Sequence, residues 1–406
     1  MLKAAGTNGI YSLSQISSEA LIAHKIRISK QAIDSRFDKE AVMFLKELLG
    51  QVILAQIAPP TNINFFSQFN RVLIKDSTKF DLPRCLKDDF LGFGGKITSE
   101  AGISIQYEYD LKDGRLHDFD FTSSRKNDVQ DAKKNVKKVK KGDLVLRDLG
   151  YFSSSVLEEF DLNGAFYLSR IKSQIEVFDE TDQAISFKKL LPMIRRKKLN
   201  RMNINATIGH KKKLPVRLIV EVVPDDVYQE RVRKRAQENK KRGQKMSDEF
   251  TARAHFNLFV TNVPEEDLPT EHVYDLYKLR WQIELLFKSL KSTLGINNIH
   301  PMRHDRLICL LCAKLILYLA ARQITMMFMK YFYIKKGKHL SIYKSIKTLM
   351  DGFAKTRSIL TLQKIKLSKH IKDLNELLSR NHWLEQRKGK KCFAELFELF
   401  SCVSKI

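Results

Sequence analysis

Residues 273–291 read VYDLYKLRWQIELLFKSLK and carry four polar side chains at fixed spacing. Tyr277, Arg280, Glu284 and Lys291 stand at offsets of 0, 3, 7 and 14. On a continuous helix of about 3.6 residues per turn, these offsets would place all four side chains on one stripe. A carboxylate can hold a divalent cation, while two cations and a phenol can hold a phosphate backbone. The stretch therefore predicts a helix whose polar side chains bind a divalent cation and the phosphate attached to it.

The same stretch carries an apolar stripe, formed by Leu279, Ile283, Leu286 and Leu290. Such a stripe predicts that one side of the helix faces a protein core. The charge pattern alone leaves a plainer interpretation open, namely an amphipathic helix with ordinary surface charge. The rest of the sequence has to decide between these two interpretations.

Length and charge limit the class of protein. The chain has 406 residues, 43% of them hydrophobic, with a net charge of +26 and a pI near 9.7. This length predicts two or three globular domains with a sizeable core. A protein this basic is expected to meet a polyanion; nucleic acid is the first candidate and a membrane surface is the alternative.

The five scattered cysteines favour a reducing cytoplasm. Cys309 and Cys312 form a single CxxC within an apolar run, so we expect buried helical cysteines rather than a metal or redox pair. That run, 307–329, also contains Lys314 and Arg322, which are costly in a bilayer centre. It therefore predicts a buried helix of a large soluble domain. No signal peptide is visible at the start of the sequence.

Three helices are predicted between residues 12 and 57. The first begins at Ser18, Ser29 caps the second, and Asp38 caps the third, which Pro59-Pro60 ends. Three short helices of this kind fit a helix-turn-helix unit that binds DNA. They fit a plain helical bundle equally well, and the sequence leaves both open.

Two short apolar runs each lead to an aspartate. Residues 72–74 end two positions before Asp76, and residues 144–146 end two positions before Asp148. Continuous apolar runs fit central strands that are buried on both faces. A carboxylate at the end of a buried strand is expensive unless it is bound to something. Parallel pairing of the two strands would bring Asp76 and Asp148 together.

An antiparallel hairpin is predicted between these strands. Residues 103–111 alternate between apolar and polar side chains, and LHDFDFTSS runs back after a turn at Asp113-Gly114. The alternation predicts that the polar side chains face solvent: Ser104, Gln106, Glu108, Asp110, Asp118 and Asp120. These acids are therefore not expected to compete for a catalytic role. Asp143 is not expected to do so either, because it begins its strand at the wrong end.

A long basic insertion is predicted at 173–267. From Arg195 to Lys245 there are 17 Lys or Arg against 5 Asp or Glu, a net of +12. A charge run is often only a solvated face, but this density favours a nucleic-acid surface. The candidate phosphate contacts lie on a charged helix of the insertion: Arg231, Arg233, Lys234 and Arg235.

The order strand, hairpin, helix, strand, helix, strand predicts an α/β fold with a ribonuclease-H-like catalytic core. Glu284, on a later helix, is placed to supply the third carboxylate. Four regions follow from this layout. They are a helical, helix-turn-helix-like DNA-binding region at 1–60, a catalytic core at 66–172 and 268–330, the basic β-rich insertion at 173–267, and a helical C-terminal region at 331–406.

At this point the residues resemble a known family. IKDST around Asp76, LRDLGYFS around Asp148 and YKLRWQIELLFKSLK around Glu284 are similar to the motifs of bacterial insertion-sequence transposases of the DDE class. The likeness is to the group with a Tyr-x2-Arg-x3-Glu-x6-Lys signature. It covers about residues 12 to 330, with a β-rich insertion between the second and third motifs.

The resemblance implies that Asp76, Asp148 and Glu284 are the catalytic residues and metal ligands, and that Tyr277, Arg280 and Lys291 hold the transposon end. The implied cofactor is Mg²⁺, with Mn²⁺ able to substitute, because clustered carboxylates suit hard cations. The implied partners are double-stranded DNA, both terminal inverted repeats and target DNA, and a second copy of the chain in a homodimer, with no membrane. The implied location is the bacterial cytoplasm, at the nucleoid.

The implied activity is metal-dependent cleavage at transposon ends followed by strand transfer into target DNA, which is cut-and-paste transposition. Two alternatives stay open. One is a metal-dependent DNA nuclease without strand transfer. The other is a non-enzymatic DNA-binding repressor derived from a transposase.

One departure from the family concerns an aromatic residue. Some relatives carry a tryptophan in the last strand of the insertion, where it stacks on a flipped base during hairpin formation. The corresponding position here is Asn257. An amide offers no stacking platform, so a hairpin route would have to rely on a neighbour such as Phe256 or Tyr228.

Overall fold

The computed structural model describes residues 12–54, 68–95, 98–112, 116–209, 213–352 and 367–385. The predicted turn at Asp113-Gly114 and the predicted helix end at Pro59-Pro60 lie outside these ranges. The chain divides into two compact units. The first unit comprises Met1–Ile63, Asp76–Lys126 and Trp281–Ile406, and the second comprises Asn64–Lys75 and Asn127–Arg280. These boundaries differ from those of the four predicted domains, which stay a prediction.

The fold is mixed α/β, with a large mixed sheet and many helices. The described residues form nine strands: β1 (Val72–Leu82), β2 (Ala101–Asp110), β3 (Leu116–Ser123), β4 (Leu144–Arg147), β5 (Phe166–Arg170), β6 (Val177–Phe178), β7 (Arg201–Ile208), β8 (Leu214–Val222) and β9 (Phe256–Thr261).

The same ranges hold thirteen α-helices: α1 (Leu13–His24), α2 (Lys30–Ser35), α3 (Lys39–Leu54), α4 (Asp128–Asn135), α5 (Ser154–Leu162), α6 (Phe187–Arg196), α7 (Asp225–Arg242), α8 (Asp248–Ala254), α9 (Thr270–Lys278), α10 (Trp281–Leu294), α11 (His304–Lys336), α12 (Ile342–Asp351) and α13 (Leu367–Asn381).

In the second unit the strand order is β1-β4-β5-β9-β8-β7-β6. Strands β1, β4 and β5 run parallel, and the later strands pair antiparallel. Every residue of β4 is buried, which confirms the predicted buried strand at 144–146. Side chains of β4 and β5 join helix residues such as Phe160 and Phe187 in one apolar core. Burial of this surface stabilises the unit.

In the first unit the strand order is β3-β2-β1, and β2 pairs antiparallel with β3 as predicted. The prediction that the polar residues of β2 face solvent is wrong. Ser104, Gln106, Glu108 and Asp110 are at most 4% exposed, and on β3 Asp118 and Asp120 are half-buried. The reason is position in the sheet: β2 is an interior strand between β3 and β1, and an interior strand can be covered on both faces.

Strand β1 is longer than its apolar run. It continues to Leu82, so Asp76 lies inside the strand and not at its tip as predicted. Pairing with β4 does end at this point, because the last register pair is Lys75 with Arg147. Asp76 is the next residue of β1, and Asp148 is the residue that directly follows β4. Each carboxylate therefore follows the final paired position of β1 with β4.

The N-terminal helices begin at polar caps. The first helix starts at Leu13, earlier than the predicted Ser18, because Ser12 forms a capping box with Gln15. Ser29 caps α2 as predicted, and the Asp38 carboxylate accepts from the Ala41 amide at the start of α3. The three predicted helices are confirmed, whereas the helix-turn-helix interpretation stays a prediction.

The helix after the hairpin is short. Helix α4 ends at Asn135, and the next three residues form a 3₁₀ turn, Val136–Lys138. The predicted signature helix is also interrupted. Helix α9 ends at Lys278 and α10 begins at Trp281. The Leu279 and Arg280 amides donate to carbonyls three residues earlier, which tightens the turn and ends α9.

Helix α11 of the first unit is, among the described residues, the one helix long and apolar enough to cross a membrane. However, 72% of its most apolar stretch is buried inside the protein, as in a core helix. It packs against α3 and α12. Cys309 and Cys312 are buried free thiols on this helix, as predicted.

Candidate active site

A cleft of about 630 Å³ in the first unit contains two of the predicted catalytic carboxylates. Residues of β1, α10 and the loop after α10 line it: Asp76, Ser77, Glu284, Phe287, Lys288, Lys291, Ser292, Asn297 and Asn298. Asp76 comes from the strand, where its own carboxylate accepts from the Ser77 amide at 2.8 Å. Glu284 comes from the first turn of α10. The cleft therefore combines two acids with two lysines.

Helix α10 presents these side chains because its opposite face is anchored. Ile283, Leu286 and Leu290 are at most 8% exposed, so the predicted apolar stripe is confirmed. Lys288 and Lys291 follow Glu284 at one and two helical turns, which keeps the three side chains on neighbouring positions of one face. Partial burial lowers the pKa of Lys291. A desolvated ammonium gains more from an anionic ligand than one in water does.

The C-terminus of α10 rests on an unusual buried cation. Lys314 of α11 is 4% exposed and donates to the Leu294 carbonyl at the end of α10. Burial lowers the pKa of Lys314 to about 8. A cation at this position satisfies a helix-terminal carbonyl and interacts favourably with the helix dipole. It holds the helix end from which the loop of Asn297 and Asn298 departs.

Asp148, the remaining predicted carboxylate, lies in the second unit immediately after β4. The Tyr277 hydroxyl donates to its Oδ1 at 3.2 Å, and the Arg280 Nε lies 3.9 Å from the same oxygen. The Arg280 guanidinium also lies 5.7 Å from the centre of the Tyr277 ring. Two residues of the predicted end-binding set therefore surround a predicted catalytic residue.

Tyr277 is 8% exposed, and its ring packs 5.1 Å from that of Phe259. Burial raises the pKa of Tyr277, and the nearby Asp148 charge raises it further. The phenol is therefore protonated and a donor at neutral pH. Sequence reasoning placed Tyr277, Arg280, Glu284 and Lys291 on one helical stripe. The single continuous helix that this prediction needs is not present, because α9 ends at Lys278 and α10 begins at Trp281.

The strand position before Asp76 is held by a buried ion pair and a hydrogen bond of the second unit. The Lys75 ammonium lies 2.7 Å from Asp131 of α4, and both side chains are at most 2% exposed. Asn135 donates to the same Asp131 carboxylate at 2.9 Å. A buried pair with additional hydrogen bonds resists displacement, because removing either partner leaves an uncompensated charge.

Asp143 has a structural role of this kind at the other end of β4. It accepts from the Arg71 guanidinium and from the Lys140 amide. This agrees with its exclusion from the catalytic set.

The predicted contacts on α7 differ from one another. The Arg231 guanidinium donates to the carbonyls of Ala254 and Phe256 and to the Asn257 side chain, so it is committed inside the second unit. Arg233 is exposed. Lys234 pairs with Glu230 at 2.7 Å, and Arg235 lies over the Phe250 ring at 5.3 Å. The outer face of α7 is available to an anion, but the Arg231 fork is not.

Asn257, the position at which some relatives carry a tryptophan, also has partners within the protein. Asn257 is 8% exposed and joins Arg231 to Glu221, to which it donates at 3.0 Å. Phe256 is 2% exposed in the core, so it offers no platform to a base and that prediction is wrong. Tyr228 is half-buried and stacks on His255 with ring centres 3.7 Å apart. Of the two candidate stacking platforms, Phe256 and Tyr228, the one with an accessible surface is therefore Tyr228.

Carboxylate oxygens are the donors that hard divalent cations prefer, and Asp76 and Glu284 offer them to one cleft. Within the described residues, no three His, Cys, Asp or Glu side chains are arranged as a metal site. The assembly of all three carboxylates on metal therefore stays a prediction. Sequence reasoning missed Lys288, Ser292, Asn297 and Asn298. Lys288 could have been found, since it lies one turn after Glu284, but the loop residues carry no spacing signal.

Comparison with known proteins is consistent with these features. The family described as transposase DDE domain matches residues 67–320, more than half of the chain. The chain is 32% identical over 398 residues to the transposase for insertion sequence element IS231B of Bacillus thuringiensis subsp. berliner, which covers 94% of this chain and 81% of that protein. It is 31% identical over 383 residues to the IS231F transposase of Bacillus thuringiensis subsp. israelensis, covering 90% and 78%.

A relative from another genus is similar over a comparable length. The transposase for insertion sequence element IS1151 of Clostridium perfringens is 30% identical over 362 residues, covering 84% of this chain and 76% of that protein. The predicted family is thereby confirmed, while the four-residue signature of one group within it is not tested. The chain belongs to the bacterial insertion-sequence transposases that carry a DDE domain.

Proposed function

We propose that this protein cleaves DNA at the ends of an insertion sequence and joins the freed 3′-hydroxyl to target DNA. Asp76, Asp148 and Glu284 are the proposed catalytic carboxylates. The observation that carries the proposal is the cleft in which Asp76 and Glu284 lie beside Lys288 and Lys291. Acids that can hold a divalent cation and lysines that can hold phosphates are what phosphoryl transfer on DNA needs.

A ribonuclease-H-like core is part of the proposal. Its support is the parallel arrangement β1-β4-β5 in the second unit and the antiparallel hairpin beside β1 in the first. The carboxylates follow the last paired residues of β1 and β4, which is where functional groups of parallel sheets commonly lie. The four sequence-based regions, including the DNA-binding region at 1–60, belong to the same proposal.

The chemistry assigned to the residues follows from their donors and charges. Asp76, Asp148 and Glu284 would hold Mg²⁺, or Mn²⁺ in its place, which when bound activates the attacking oxygen and stabilises the leaving one. Lys288 and Lys291 bind phosphates of the DNA strand in the cleft. Tyr277 orients the Asp148 carboxylate by the hydrogen bond from its hydroxyl. Catalysis needs no covalent bond between protein and DNA.

The proposed partners are the element ends and target DNA. Exposed cations of α7 such as Arg233 and Lys234 support backbone contacts that do not depend on sequence. A homodimer on DNA and a location in the bacterial cytoplasm, at the nucleoid, complete the proposal.

The test uses the purified full chain and a plasmid carrying the DNA that borders the coding region, including any inverted repeats. With Mg²⁺ and a second plasmid as target, we expect released element DNA and joined products. Glu284→Gln serves as the inactive control. Cleavage without joining would assign the nuclease alternative, and binding without cleavage would assign the repressor alternative. Either result would overturn the proposal.

A further inference from the structure

The end of β5 holds a cation that no motif singled out. Strands β4 and β5 are parallel, and their last register pair is Arg147 with Ser169. The next residue of β5 is Arg170, and the residue that follows β4 is Asp148. Each therefore comes directly after the last register pair of β4 with β5, within the second unit.

The side chain of Arg170 lies on the face that carries the Asp148 site. On its other side Arg170 pairs with Phe259 of β9. Residues directly opposite each other in antiparallel strands share one face of the sheet. The Phe259 ring packs on Tyr277, whose hydroxyl donates to Asp148. The positive charge of Arg170 also acts on Tyr277, where it opposes the rise in the pKa of the phenol.

Arg170 differs from the two other arginines near this face. Arg231 donates to two carbonyls and Asn257, and Arg280 lies 3.9 Å from the Asp148 carboxylate. Among the residues that the structure describes, none forms an ion pair or side-chain hydrogen bond with the guanidinium of half-buried Arg170. Burial lowers the pKa of Arg231, and the nearby positive charge of Arg170 lowers it further, so the region has cationic character.

We propose that Arg170 binds a backbone phosphate of the DNA strand cleaved at the Asp148 site. A half-buried guanidinium without a counter-ion is suited to an anion, and its planar fork matches two oxygens of a phosphate. This inference rests on the proposed function, because it takes the anion to be a phosphodiester of the element end.

The test measures binding of a fluorescent duplex that ends in the DNA bordering the coding region, with EDTA present so that no cleavage occurs. We expect Arg170→Ala to weaken binding about tenfold and to reduce the slope of log K against log salt by about 0.9. Arg170→Lys should keep the slope and lose part of the affinity, because the charge remains but the fork is gone. Arg380→Ala is the matched control, since Arg380 is exposed and paired with Glu376, and should change neither.

A second measurement locates the phosphate. Single methylphosphonate linkages, which are neutral, are placed in turn along the cleaved strand. At one linkage, the losses of binding free energy caused by the neutral linkage and by Arg170→Ala should not be additive, as expected for two groups in contact. Additive effects at every linkage, or an unchanged salt slope in a variant whose thermal unfolding matches wild type, would overturn the inference. Failure of the wild-type protein to bind and cleave the end would instead overturn the proposed function.

Discussion

The Asp148 site of the second unit and the cleft of the first unit use similar side chains in different ways. Asp148 is already held by the protein, through the Tyr277 hydroxyl and the nearby Arg280. In the cleft, Glu284 and Lys291 border an open volume of about 630 Å³. The difference teaches that charge type does not define a role. A charge can be oriented by neighbouring side chains, as at Asp148, or it can line a cleft that a ligand can enter, as at Lys291.

The largest expected effect concerns the three carboxylates. Asp76→Ala, Asp148→Ala and Glu284→Ala should each reduce cleavage by at least about 10³-fold and leave end binding largely intact, because each removes a proposed metal ligand. Cleavage and gel shift are measured on the same protein. Glu108→Gln is the control, an acid buried in β2 without a proposed catalytic role. Cleavage within tenfold of wild type would remove that carboxylate from the catalytic set.

The same comparison can be made within α7, which carries exposed cations and also Arg231, whose guanidinium donates to acceptors inside the protein. Replacing Arg233, Lys234, Lys240 and Lys241 by Ala should weaken specific and non-specific DNA binding alike, by about 100-fold in total, since phosphate contacts carry no sequence information. Loss confined to the specific sequence would contradict this.

Arg231→Ala is the counterpart on the same helix. It should lower the free energy of unfolding by about 1–3 kcal/mol, because the carbonyls of Ala254 and Phe256 and the Asn257 side chain lose a donor. Urea unfolding measures this effect. A salt slope that falls while stability is unchanged would instead make Arg231 a DNA contact.

Tyr277→Phe tests whether Asp148 depends on its protein partner. The substitution removes one hydrogen bond to a charged group, so we expect about a tenfold loss of cleavage rate. End binding in EDTA should stay within twofold of wild type, because the buried hydroxyl faces Asp148. Binding that falls as much as cleavage would return Tyr277 to the end-binding set.

Lys291→Ala should affect DNA binding, whereas Tyr277→Phe should affect cleavage, and the expected change is smaller. We expect about fivefold weaker end binding and a salt slope reduced by about 0.9, because Lys291 lines the open cleft. Fluorescence anisotropy over a salt series measures both quantities. Lys330→Ala, at an exposed position of α11, is the control for the change in net charge. Equal slopes in the two variants would reassign Lys291 to ordinary surface charge.

The last prediction concerns Lys314 and the stability of the fold rather than DNA cleavage or binding. Its pKa is about 8 in the folded state and near 10.5 as a free side chain. Below pH 8 the folded protein therefore carries the full cost of a buried ammonium, and the cost disappears as pH rises toward 10.5. The free energy of unfolding of wild type, relative to Lys314→Met, should rise between pH 7 and pH 10 by up to about 3 kcal/mol. A difference that falls with pH would contradict the depressed pKa.

Sequence reasoning succeeded where the signal is local. The buried strand at 144–146, the cap at Ser29 and the apolar stripe of α10 follow from runs, caps and periodicity within a few residues. The prediction for the hairpin was wrong. Alternating apolar and polar residues indicate a strand with one solvated face, but β2 is an interior strand that is buried on both faces. Sequence reasoning failed again at Leu279, since no residue there marks the break between α9 and α10.

The sequence by itself determined the family, the basic character and the identity of the candidate carboxylates, because motifs and charge are properties of the chain. The tertiary structure decided which side chains these groups contact and which of the groups line the cleft. Tyr277 donates to Asp148, 129 positions away, and Arg231 donates to Asn257 while Arg170 has no counter-ion among the described residues. The physical reason is that a charge is neutralised by whatever folding brings to it, and such partners are distant in sequence.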